Sequence, residues 1–273
     1  MGASGDVARS AAASVPQPLN DPRNFAPEWA GEPYASVIER LHAVLQPRTY
    51  LEIGVLLGGT FRLAQCPRIA IDPGFMLSAE DINTKPVSLL FRLPSDEFFA
   101  QYNVRNLFGR ELDMAFLDGL HLFEFLLRDF YNTEIHCHSK SVILVHDLLP
   151  TDVGMSRRDQ RRPKDLPTRN PKRWAGDVWK LLPVLRKYRP DLRIICLDAP
   201  PTGLVLITGL DPTNRVLQEN YDAILAEAAG LVLEEVGMAN FVAHQRVWST
   251  DSFQDPALIK SHLFERPGTA QSG

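Results

Sequence analysis

Short apolar runs alternate along this chain with stretches whose apolar residues fall three and four apart. Tyr34, Ile38, Leu41 and Leu45 have helical spacing and predict an amphipathic helix over 33–45. Residues 50–55 form an apolar run that predicts a first strand, and 61–65 continue as a helix. A second strand over 68–71 ends on Asp72 and Pro73, and the polar 78–85 reads as a loop or short helix. A third strand over 87–93 is followed by Ser95, placed to cap a short helix that buries Phe98 and Phe99. Residues 112–119 predict a fourth strand, and Leu122, Phe125, Leu126 and Phe130 mark the buried stripe of a helix over 121–135. Residues 141–145 are continuously apolar, as suits a central strand of a parallel sheet.

The pattern then breaks. Residues 151–173 hold Arg157, Arg158, Arg161, Arg162, Lys164, Arg169, Lys172 and Arg173 with little apolar content. They read as a basic loop, either a solvated insertion or a lid that meets an anionic substrate. Helical spacing resumes over 174–188, and two strands follow over 192–197 and 203–208. The few residues between those strands leave no room for a crossover, so an adjacent pair must be antiparallel. Further helices are expected over 214–228 and 255–264, while 231–248 is ambiguous. The expected fold is α/β: a mostly parallel seven-stranded sheet ending in an antiparallel hairpin, with helices on both faces.

Composition adds bounds. With 273 residues, 45% hydrophobic and 23% charged, one domain over 26–250 carrying the basic loop 151–173 is expected. Residues 1–25 read as a disordered tail and 251–273 as a terminal helix and tail. A net charge of −4 gives no general pull toward nucleic acid or anionic membrane, and no apolar run could span a bilayer. Residues 1–25 lack the apolar block of a signal peptide, and Asp6 spoils a myristoylation motif. Cys66, Cys137 and Cys196, widely spaced, suit free thiols in a cytoplasmic protein. A homo-oligomer stays open.

Chemistry concentrates at strand ends. Glu52, Asp72, Asp118 and the pair His146-Asp147 each close a strand, and in a parallel sheet those ends line one crevice. Taken singly, each acid could be a cap or turn residue. After Glu52 come Gly54, Gly58, Gly59 and Thr60, a turn in which glycines let a ligand approach the backbone. Leu56 stands where a dinucleotide fingerprint needs its second glycine. A carboxylate there would repel phosphates and suit the cationic, amine-bearing methionine end of S-adenosylmethionine (SAM). Asp72 would suit the ribose hydroxyls.

Leu51-Glu52-Ile53-Gly54 with Gly58-Gly59, Ile71-Asp72-Pro73, Ser95-Asp96-Glu97, Leu117-Asp118-Gly119-Leu120-His121 with Asp129, and Val145-His146-Asp147 together resemble a bacterial branch of the Rossmann-like, class I SAM-dependent methyltransferases. The resemblance implies SAM as cofactor, held by Glu52, Gly54, Gly58, Thr60 and Asp72, with Ser95 and Asp96 near the adenine and Asp118 alongside. It implies methyl transfer, here expected on a small-molecule or sugar hydroxyl. Related metal-dependent O-methyltransferases hold a divalent ion with an acid after the fourth strand and an acid pair after the fifth. Asp118 and Asp147 match two positions but Leu148 cannot ligate, so no metal is expected.

A proton must leave the attacking hydroxyl, and His121 is the expected acceptor, with His146 as substitute and Asp118 or Asp147 to orient it. A helix opening at His121 would keep the ring neutral. Either histidine could instead merely close a turn. The alternatives are a SAM-binding protein without catalysis, and an RNA methyltransferase that grips phosphates with the basic loop.

Overall fold

The computed structural model describes residues 21–83, 87–160 and 168–265. The elements are α1 (Tyr34–Leu45), β1 (Tyr50–Ile53), β2 (Arg68–Ile71), α2 (Ala79–Asn83), β3 (Ser88–Phe91), α3 (Ser95–Gln101) and α4 (Val104–Phe108). They continue with β4 (Leu112–Leu117), α5 (Phe123–Glu134), β5 (Cys137–His146), α6 (Leu181–Tyr188), β6 (Arg193–Leu197) and β7 (Leu204–Thr208). The helices α7 (Val216–Glu219), α8 (Tyr221–Ala229), α9 (Leu233–Val236), α10 (Met238–His244) and α11 (Pro256–Phe264) complete the chain.

The strands form one sheet in the order β3-β2-β1-β4-β5-β7-β6. β1 to β5 pair in parallel, while β7 runs antiparallel to both β5 and β6. The hairpin is forced by the short β6–β7 connection, as the spacing implied. This is the expected Rossmann-like sheet, parallel and ending in an antiparallel hairpin. Every residue of β1 is buried because both sheet faces are covered. Leu51 and Ile53 enter one core with Phe123, Leu126 and Phe130 of α5 and Leu181, Leu182 and Leu185 of α6. Tyr50 enters the other with Val37, Ile38 and Leu41 of α1 and Ile259 and Leu263 of α11. Among the described residues no helix is long and apolar enough to cross a membrane.

Several local expectations are corrected. Phe61–Leu63 is a single 3-10 turn, not a helix to Gln65, because Ala64 is already extended. Ser95 is the first residue of α3 and caps nothing; Pro94 precedes it in extended conformation. The helix expected from Trp174 begins only at Leu181, after a 3-10 turn at Val178–Lys180, since Gly176 adopts φ +67°. The helix over 214–228 is broken at Asn220 into α7 and α8. Phe25, assigned to the tail, is buried and pairs with Asp152. Residues 1–20 of that tail lie outside the described residues, as do 161–167 of the basic loop and the terminal 266–273.

One buried ion pair locks the far end of the α5–α6 layer. Both guanidinium ends of Arg189 donate to Glu134, at 2.6 and 2.9 Å, with the side chains 1% and 2% exposed. Glu134 also accepts from the Asp211 amide. Removing one member strands the other charge without water. Arg189→Ala is expected to lower unfolding free energy by about 3–5 kcal/mol, measured by urea denaturation.

Candidate active site

The order of strands reverses at β1, so the crevice between the ends of β1 and β4 is where such a sheet takes its ligand. The two ends touch. Gly54 has φ +85°, and a Cβ there would overlap the Asp118 carbonyl oxygen. The Asp118 amide donates to the Ile53 carbonyl at 2.9 Å. Only glycine allows this approach. The turn beyond is held by Asp72: its two oxygens accept from the Leu56 amide at 2.8 Å and the Gly74 amide at 2.7 Å. Leu56 sits at φ +40°, a strained conformation for a leucine, and Gly58 at +73°. Asp72 therefore ties the loops after β1 and β2 together. A carboxylate has about four acceptor positions, so it retains capacity for two hydroxyls. Leu56, Leu57 and Met76 stand exposed along this rim.

Glu52 occupies a different place from the one expected. It is fully buried, accepting from the Tyr50 hydroxyl at 2.6 Å and the Thr60 hydroxyl at 2.7 Å. Burial raises its pKa to about 8, against the hydrogen bonds from Tyr50 and Thr60 that favour the charge. It does not offer an open carboxylate to a cationic group. With Thr60, it anchors the glycine turn from beneath. Buried Arg68, which donates to the Phe61 carbonyl and Ser88, lies close enough to temper that charge penalty.

Across Gly54 lies a cluster drawn from three strand ends. His121 Nε2 is 3.1 Å from Asp147 and 3.5 Å from Asp118, while its Nδ1 lies 2.9 Å from the Trp174 carbonyl. His146 Nδ1 is 3.2 Å from Asp118, and its Nε2 is 3.3 Å from the Thr202 hydroxyl. That hydroxyl gives its proton to Asp147 at 2.5 Å, so towards His146 it can only accept. Both nitrogens of each ring thus face acceptors, which makes both rings imidazolium. Burial opposes the charge, but Asp118 and Asp147 outweigh it, taking His121 up to about 9 and His146 up to about 10. Burial also opposes the Asp147 charge, yet the two rings hold that carboxyl well below its usual range. Asp147 itself takes φ +63°.

Two premises fail here. His121 does not open a helix: Leu122 is the N-cap and α5 starts at Phe123, so no dipole keeps the ring neutral. Nor is a third ligand missing beside Leu148. His121 could supply it once deprotonated: one atom each from Asp118, His121 and Asp147 lie within 4.8 Å of one another, a group that could hold a metal ion.

Ser95 and Asp96 divide. Ser95 hydrogen-bonds Asp129, a buried carboxyl raised to about 7 by burial, whose other oxygen has no partner. That carboxyl lies against Gly119, so Ser95 belongs to the β4 end of the crevice. Asp96 instead forms a bidentate pair with Arg128, at 2.8 Å for both bonds, and fastens α3 to α5. The basic loop is pinned where it is described. Asp152 accepts from Met155, Thr168 and Arg169. Arg158 pairs with Glu124 and Asp177, Arg157 with Glu234, and Arg169 donates to the Ala26 carbonyl.

No family model and no curated protein matches the chain. Solved structures to which the chain is similar include an SAH-bound methyltransferase from Podospora anserina, 14% identical over 65% of this chain and 78% of that one, with TM-score 0.45. An O-methyltransferase from Streptomyces achromogenes involved in tomaymycin synthesis, in complex with SAM, is 16% identical over 64% and 78%, with TM-score 0.45. An O-methyltransferase from Bacillus cereus in complex with SAH is 12% identical over 68% and 84%, with TM-score 0.42. At these identities and scores the likeness carries no weight for function, which rests on the site's own geometry.

The structure adds four residues that sequence alone did not assign to the site. Tyr34, at the start of α1, lays its ring on His146 with centroids 4.2 Å apart, and burial with the Asp118 and Asp147 charges takes its hydroxyl up to about 12. Trp174 stacks on His121 at 5.2 Å, Thr202 reaches in from the hairpin, and Asp177 accepts from the Phe123 amide. Tyr34 and Trp174 were visible only as apolar helix positions, and Thr202 and Asp177 carried no signal.

Glu52 yields a pH test. Its folded pKa of about 8 exceeds the ordinary 4.5, so the folded chain keeps a proton that the unfolded chain releases. That contribution is full below about pH 4.5 and is lost as pH rises through about 8. Glu52→Gln should therefore unfold thermally with a smaller loss of stability than the parent between those values. An equal loss in both proteins would place the proton elsewhere.

Proposed function

We propose that the protein is a SAM-dependent methyltransferase that acts on the hydroxyl of a small molecule or sugar. One observation carries the reading: the Asp118–His121–Asp147 cluster stands directly across Gly54 from the glycine turn, at the point where the strand order reverses. When bound, SAM supplies a methyl group on a sulfonium centre. Asp72 suits the ribose hydroxyls, and the exposed leucines of the turn, Leu56 and Leu57, suit a ligand without phosphates. Leu56 in place of a glycine and the β6–β7 hairpin argue against a dinucleotide.

His121 is the proton acceptor in this reading. Its Nδ1 is committed to a carbonyl, so Nε2 must take the proton from the acceptor hydroxyl. Because the acids hold the resting ring protonated, Nε2 has to lose its proton first. Without a divalent cation, kcat/KM should rise with pH until about 9 and then level. The cluster also favours a second reading, in which Asp118, His121 and Asp147 hold a divalent cation that lowers the hydroxyl pKa. Against the RNA reading stand Arg157, Arg158 and Arg169, engaged within the protein, while Lys172 and Arg173 are exposed and Arg161, Arg162 and Lys164 lie outside the described residues.

The test is transfer of labelled methyl from SAM to a panel of hydroxyl-bearing acceptors. His121→Ala should lower turnover by about 10²–10⁴-fold with SAM affinity little changed, and chelator should have no effect. Activity abolished by chelator and restored by a divalent cation would select the metal reading. SAM binding with no product from any acceptor would select a binding protein without catalysis.

A further inference from the structure

The return limb of the basic loop, residues 174–177, touches the His121 turn at four points. The Trp174 carbonyl accepts from His121 Nδ1 at 2.9 Å. The Trp174 ring stacks on the imidazole, at 27° between planes. Gly176, at φ +67°, passes so close that a Cβ there would overlap the His121 carbonyl oxygen and come within 2.8 Å of its Cβ. Asp177, 4% exposed, accepts from the Phe123 amide at 2.9 Å and so caps α5 from outside that helix.

The limb is itself anchored. Trp174 Nε1 donates to the Arg157 carbonyl at 2.6 Å, and the Ala175 and Gly176 amides donate to the Met155 carbonyl at 2.8 and 3.1 Å. Arg158 and Lys180 flank Asp177 at 3.4 and 3.3 Å. His121 stands on a turn before the helix rather than inside an element; this limb supplies the partner of its Nδ1 and the ring stacked on it, while Asp118 and Asp147 face its Nε2. A carbonyl only accepts, so the contact with Trp174 fixes which nitrogen keeps its hydrogen.

We propose that the 174–177 limb is a positioning element for His121: it fixes Nδ1 as the permanent donor, aims Nε2 at Asp118 and Asp147, and makes Trp174 and Gly176 positioning residues. The consequence for turnover rests on the methyltransferase reading; the hydrogen bond does not. Gly176 has no room for a side chain, so Gly176→Ala must push the limb off the turn. Trp174→Ala removes the stack and the anchor to Arg157, whereas Trp174→Phe keeps a ring in place.

The experiment uses the full chain with 15N-labelled histidine. The His121 Nδ1 proton is assigned by its disappearance in His121→Gln, and its exchange with water is measured alongside kcat and the KM for SAM. The parent should show a slowly exchanging proton. Gly176→Ala should lose it and lower kcat by about 10²-fold, with the KM for SAM unchanged. Trp174→Ala should speed exchange and Trp174→Phe restore most of the protection. Should Gly176→Ala fail to fold, the Trp174 pair decides. Protection that persists in Gly176→Ala and Trp174→Ala overturns the proposal, as does protection lost with kcat unaltered. A parent with no methyl transfer to any acceptor sinks the methyltransferase reading instead, and the exchange rates still decide the positioning.

Discussion

The contact between Gly54 and the Asp118 carbonyl is the constraint on which the rest of the site depends. It is possible only without a side chain at Gly54, and it draws the ends of β1 and β4 together at the strand reversal. On one side of that contact the chain makes the strained turn through Leu56 and Gly58, tied by Asp72. On the other it delivers Asp118 and, three residues on, His121. A larger residue at Gly54 would have to part the strands, separating a cofactor-sized turn from the groups that would act beside it.

Charge balance is the second constraint. Asp118 and Asp147 face two imidazolium rings, with Thr202 completing the hydrogen bonds. Little water reaches His146 or Asp147, so neither carboxylates nor rings could be removed singly without stranding a charge. That arrangement needs the antiparallel hairpin, which brings Thr202 back beside the end of β5. The hairpin and the Asp118–His121–Asp147 cluster are therefore one structural problem. A cation placed among Asp118, His121 and Asp147 would take over the role that the His121 proton fills.

Much of the architecture was legible in the sequence for physical reasons. Strands buried on both faces are continuous apolar runs, and the short stretch after Leu197 permits only a hairpin. The polar strand ends at Asp72, Asp118, His146 and Asp147 pointed to one crevice. What sequence could not show was direction and depth. Glu52 lies on the same face as Tyr50 and is turned into the core, and nothing in its neighbours reveals this before Thr60 folds back onto it. His121 precedes an apolar helix stripe closely enough to look like its first residue, yet the helix starts two residues later. Its charge state depends not only on nearby Asp118 but also on Asp147 and Trp174, both distant in sequence. The basic loop looked like a free arm because its anchors are backbone groups and acids from elsewhere, including Glu124 and Glu234.

The central claim is that the turn after β1 takes SAM and not a dinucleotide. Calorimetric titration of the purified chain with SAM and, separately, with NAD tests it most directly. SAM should bind with one site per chain, Asp72→Ala should weaken that binding by about 1.5–3 kcal/mol, and NAD should give no heat of binding. Binding of NAD with none of SAM would contradict the claim.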